Sequence, residues 1–166
     1  PVEQLRAAGA KSIVLDIVFA EPGAFPDADV ALAEAMGPDV VLAADRTTTK
    51  TPNADIESEV LPLAALLQRG ARHGFAKVPQ SEVDGVVRTP PPAAPENALI
   101  QYFAPAKAYF ETYSYYQAVD WTTYIPKNPF TGKMVIVGFG QDTQADVRSV
   151  DAFATPYTSR GRGWMF

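Results

Sequence analysis

Two short runs, SIVLDIVF at residues 12–19 and VVLAA at residues 40–44, are apolar at almost every position. In a strand, alternate side chains point to opposite faces. Ile13, Leu15, Ile17 and Phe19 therefore share one face of the first run, and Val14, Asp16 and Val18 share the other. A strand apolar on both faces marks a sheet covered by helices on each side. Between the runs, PDADVALAEAMGP predicts a helix with acids in its first turn and an inner stripe of Leu32, Ala35 and Met36. Gly37 reads as its cap and Pro38 as its stop. Residues 2–8 read as the end of an earlier helix with Gly9 as left-handed cap. Pro62 suits the first turn of a helix, PLAALLQRG, that ends at Gly70. The polar residues 46–55 read as a surface loop. Strand, helix, strand, helix is the order of an α/β sheet with parallel neighbours.

The second half changes character. HGFAKVP and GVVRTP read as two short strands joined through an Asp-Gly turn signal, which predicts a β-hairpin. A proline-rich bridge, TPPPAAPEN, follows, and ALIQYFAP reads as another strand. Ser114 with Gln117 fits a capping box that opens a short helix, YYQAVDW. KMVIVGF is the last clear strand. The expected fold is α/β: a mixed, largely parallel central sheet of about six strands with helices on both faces and one β-hairpin. At 166 residues the chain reads as a single domain able to bury roughly 70% of its unfolded surface. It reads as truncated at both ends, opening on a helix tail and stopping at GRGWMF.

Several function classes are excluded. A net charge of −5 argues against nucleic acid and anionic membrane surfaces, which need a basic patch. The chain has no cysteine, so disulfides, thiolate zinc sites and cysteine nucleophiles are absent. No apolar run reaches the eighteen or so residues of a membrane span. Gly138 and Gly140 give G-x-G, but Thr143 stands where a dinucleotide fingerprint has its third glycine. No helix-forming stripe follows to face a pyrophosphate. Asp142, Asp146 and Asp151 lack the D-x-D-x-D-G spacing of a calcium loop. His73, the one histidine, has no catalytic motif around it and reads as a polar ring at an element boundary. No catalytic residue, metal ligand or cofactor is expected.

Asp16 is the anomaly. A carboxylate between Val14 and Val18 in a covered strand would cost several kcal/mol unless paired. It reads as a structural buttress held by an arginine, Arg88 or Arg148 for example, as a ligand or switching group, or as a catalytic group. Glu21 emerges near the strand's C-terminal end, where open α/β sheets bind ligands. The aromatic cluster of Tyr109, Phe110, Tyr113, Tyr115, Tyr116 and Trp121 serves helix packing, an interface or a pocket.

DIVFAEP, the DADVALAEAM helix, DVVLAAD, HGFAKVP followed by DGVVR, YSYYQAVD, GKMVIVG and DAFATP occur in an order that resembles the second type of CHASE domain. The resemblance covers nearly the whole chain. It implies an extracellular or periplasmic sensory domain of a receptor anchored in the bacterial inner membrane, with residues 132–156 as the last core strand and the loop back toward the membrane. The implied outputs are an adenylate or guanylate cyclase, a histidine kinase, a diguanylate cyclase or a serine/threonine kinase. Flanking transmembrane helices and the output domain then lie outside this chain. Family members begin with a further strand and helix, and carry a longer helical stretch where this chain has its bridge between Arg88 and Leu99. The expected ligand-binding residues are Asp16, Glu21, Arg88 and Asp146. The partner is a small-molecule or protein signal, with a homodimer as a further expectation. Two other readings stand beside this one: a metal-assisted hydrolase using Asp16, Glu21 and the 142–151 loop, and a dimerisation module using the tyrosine-rich surface.

Overall fold

The computed structural model describes residues 1–78, 81, 83–90, 98–101, 110–139, 152–153 and 163–164. The chain divides into two compact units: Pro1–Ala76 with Tyr113–Phe139, and Lys77–Thr112 with Gly140–Phe166.

The first unit is built on a five-stranded mixed sheet. Its strands are β1 (Ser12–Leu15), β2 (Val40–Lys50), β3 (Asp55–Val60), β4 (Arg72–Phe75) and β5 (Met134–Val137). Its helices are α1 (Val2–Ala7), α2 (Pro26–Ala35), α3 (Ala64–Leu67), α4 (Tyr115–Val119) and α5 (Trp121–Tyr124). β1 pairs in parallel with β2 and β5, and β2 pairs in parallel with β4. The longest ladder, β2 with β3 from Asp45–Val60 to Lys50–Asp55, is antiparallel. The α/β class and the mixed sheet therefore hold. This sheet has five described strands where about six were expected; three of its four pairings are parallel and the β2–β3 ladder is antiparallel.

The core explains the two apolar runs. Ile13, Leu15, Val40 and Leu42 are buried in one cluster with Val2, Leu5 and Ala8 of the α1 segment. Ala35 and Met36 at the end of α2, Leu66 of α3, Ala71, Ile125 and Phe130 complete it. Each fully buried aliphatic side chain of this kind contributes about 1.5–3 kcal/mol. All the sheet residues in the cluster belong to one face, because Val135 and Val137 pack against it while Met134 and Ile136 are exposed. Among the described residues, the helices entering this core thus lie on one face of the sheet. On the opposite face Ala43 is buried and Val14 and Val41 are half-buried, and the described residues do not test the expectation of helices on both faces.

Local chemistry fixes the elements. α1 ends in a Schellman turn: Gly9 N–H donates to Arg6 O at 2.9 Å and Ala10 N–H to Leu5 O at 3.1 Å. Gly9 sits at φ +83°, the left-handed conformation that turn needs. Asn128 Nδ2 donates to Ala8 O at 2.8 Å and Gly132 N–H to Gly9 O at 2.7 Å, tying α1 to the turn before β5. Gly70 closes the α3 segment at φ +92°. Gly37 does not act as a left-handed cap. α2 ends through Met36 at ψ 154°, and Gly37 lies close against the Arg6–Asp39 pair. A Cβ there would stand 2.8 Å from Asp39 Oδ1 and 3.2 Å from Arg6 Nη2.

A β-hairpin that was not anticipated joins β2 and β3. Residues 46–55, expected as a surface loop, form the distal half of β2, the Thr51-Pro52-Asn53-Ala54 turn and the start of β3. Arg46 donates to Glu59 at 2.9 Å across this ladder and lies 4.0 Å over the Phe75 ring. HGFAKVP supplies β4, a parallel neighbour of β2, and part of its expected pairing with GVVRTP lies outside the described residues.

In the second unit, the Asp-Gly turn signal is correct. Gly85, at φ +69°, donates its N–H to Ser81 O at 2.8 Å, and Ser81 N–H donates to Val86 O at 3.2 Å. Val86 and Val87 carry bridge pairing, and of the expected strand ALIQYFAP, Ala98–Gln101 is irregular while residues 102–105 lie outside the described residues. A short antiparallel ladder joins β6 (Ala152–Phe153) to β7 (Gly163–Trp164), an element not anticipated at GRGWMF.

Candidate functional site

β1 stops at Leu15, so Asp16 is the first residue past the strand and is exposed. The expectation of a carboxylate inside a covered strand is corrected, because β1 ends before Asp16 and leaves its side chain in water. The cost that called for an arginine buttress disappears with it. Arg88 belongs to a different local arrangement, and Arg148 lies outside the described residues.

The segment from Asp16 to Phe25 is nevertheless held firmly. Asp16 N–H donates to Val137 O at 2.8 Å, extending the β1–β5 pairing by one bond. Phe19 turns its side chain against the core while its carbonyl accepts Leu63 N–H at 2.9 Å. Gly23 N–H donates to Asp29 Oδ2 at 2.8 Å, fastening the loop to the first turn of α2. Three anchors thus fix a loop at the C-terminal ends of two parallel strands. That loop presents Asp16, Ile17, Val18 and Glu21, all exposed. Neither Asp16 nor Glu21 has a side-chain hydrogen bond or ion pair among the described residues. A carboxylate in that condition is available to a cation, an ammonium or a hydroxyl group.

Gly138, one residue past β5, bounds the same place. A Cβ added there would lie 3.3 Å from Asp16 Cβ and 3.6 Å from Asp16 Oδ2. Sequence reasoning noted Gly138 only as half of a rejected G-x-G. Its position beside Asp16 follows from the register, in which Leu15 pairs with Val137.

Arg88 is placed differently. Its guanidinium forks onto Asp84, with Nη1 to Oδ1 at 2.9 Å and Nη2 to Oδ2 at 2.6 Å. That arginine holds the Asp84 carboxyl far below the usual carboxylate range, helped by the Val86 N–H. Arg88 lies in the second unit and Asp16 with Glu21 in the first. Asp146, like Asp142 and Asp151, lies outside the described residues.

The other candidates are ordinary in their settings. His73 is exposed on β4, edge-on to Phe75 with ring centroids 6.2 Å apart. Tyr113 packs edge-on to Phe130 and joins the core with Trp121. Tyr115, Tyr116 and Tyr124 stay more than half exposed, the last two in edge contact at 5.2 Å. Tyr109 lies outside the described residues. No group of three or more histidine, aspartate or glutamate side chains able to hold a metal ion occurs among the described residues.

The arrangement offers recognition groups on a fixed loop. Compared with known families, the CHASE2 domain model matches residues 2–166. The chain belongs to the CHASE2 domain family. This is a family of extracellular sensory domains, so the CHASE2 chain has a sensory rather than a catalytic role. No curated protein and no solved structure matches it. Among the described residues, no helix of this CHASE2 domain is long and apolar enough to cross a membrane.

Proposed function

We propose that this CHASE2 domain is the input module of a membrane-anchored bacterial receptor, placed on the periplasmic or extracellular side of the inner membrane. It reads a small-molecule or protein signal and sets the activity of a cytoplasmic output such as an adenylate or guanylate cyclase or a histidine kinase. Asp16 and Glu21 are the leading recognition residues. The observation that carries this reading is the triply anchored loop after β1, which presents two carboxylates without side-chain partners among the described residues, at the C-terminal ends of parallel strands. Ligands of open α/β sheets bind at such ends. The preferred ligand is cationic or rich in hydroxyl groups, by complementarity to the carboxylates.

The same reading assigns Arg88 and Asp146 to recognition. For Arg88 this means exchanging Asp84 for the signal. Any ligand acts on the output only through a difference in affinity between two receptor states.

The test is a thermal-shift screen of the purified domain against polyamines, amino acids, sugars and divalent cations. At least one compound is expected to raise the melting temperature of the wild type and not of the Asp16→Asn, Glu21→Gln double variant. A panel without any hit, or a hit that the double variant binds equally well, removes this site. A second reading, dimerisation, is favoured by the exposed Tyr115, Tyr116 and Tyr124. Sedimentation that finds only monomer at high concentration would remove it.

A further inference from the structure

We draw no further inference here: the strongest candidate, the outer face of the sheet where Met134 and Ile136 of β5 stand exposed beside Val14 of β1 and Val41 of β2, is an apolar surface, and nothing in the structure shows what covers it.

Discussion

At the residue scale, glycines separate space from conformation. Gly37→Ala would press a methyl group to 2.8 Å from Asp39 Oδ1 and disturb the Arg6–Asp39 fork, so a loss of about 1–2 kcal/mol is expected. A methyl group on Gly74 of β4 would meet nothing within 4 Å. Gly74→Ala should be neutral or slightly stabilising, because it restricts the unfolded chain. Urea titrations of the two variants give the comparison. Equal losses would mean that space at Gly37 is not the reason for the residue.

The Arg6–Asp39 fork also sets a pH dependence. Arg6 Nε and Nη2 each donate to Asp39 at 2.8 Å, and Nη2 reaches Ala35 O at 3.0 Å. The hydrogen bonds from Arg6 hold the Asp39 carboxyl below its ordinary value of 3.8. A depressed carboxylate contributes stability above its unfolded pKa, and that contribution fades as pH falls through the lower folded value. Both partners are partly exposed, with side-chain exposures of 40% and 26%, so the contribution is small. Asp39→Asn should therefore melt below the wild type at pH 6, and the gap should narrow as pH falls below about 4 and close below the lower folded value. A gap that is constant with pH would contradict the fork's role.

At the element scale, the sheet has a structural half and a polar arm. Leu5 and Leu42 are 2% and 0% exposed. Leu5→Ala or Leu42→Ala should cost about 2–5 kcal/mol. Ile56 on β3 is 52% exposed, and Ile56→Ala should cost under about 0.5 kcal/mol. Arg46→Ala removes both the Glu59 bond and the stacking on Phe75, and about 1 kcal/mol is expected. Chemical denaturation of the four variants checks the ranking, and an Ile56→Ala loss as large as the core losses would mean that the arm is part of the core.

These elements also show what a sequence reveals. Ile13, Leu15, Val40 and Leu42 announce their strands because burial leaves a hydrophobic pattern. α1, α2 and the Ser114–Gln117 cap, where Ser114 N–H donates to Gln117 Oε1 at 3.0 Å, rest on equally local rules. β3 stays hidden because all of Asp55 to Glu59 is exposed: a ladder held by backbone bonds leaves no apolar alternation to read. The signals that point to the arm are the β-branched Thr47, Thr48 and Thr49 and the Pro52-Asn53 turn. The reading of Asp16 fails for a related reason. Apolar residues on both sides suggest two covered faces, whereas Ile17 and Val18 are themselves 43% and 39% exposed beyond the strand's end. Gly138 beside Asp16 depends on the pairing of β1 with β5, distant in sequence, which no local pattern encodes.

At the scale of the whole molecule, the family assignment and the anchored loop point the same way. A sensory domain needs a surface fixed enough to discriminate and polar groups not already engaged. The loop after β1 is anchored by named bonds and carries, among the described residues, two carboxylates without side-chain partners. Gly138→Ala tests the coupling between its parts, since the added methyl would crowd Asp16 at 3.3 Å. Its folding stability should stay within about 0.5 kcal/mol of wild type, while any ligand found by the screen should bind more weakly, as isothermal titration would register.

The most direct measurement is the output activity of the full receptor in membranes, with and without a compound that stabilises the isolated domain. With wild-type sequence the compound should change that activity. With Asp16→Asn and Glu21→Gln together, the response should vanish while the domain's melting temperature without compound stays unchanged. A double variant that responds like the wild type would contradict recognition at the end of β1.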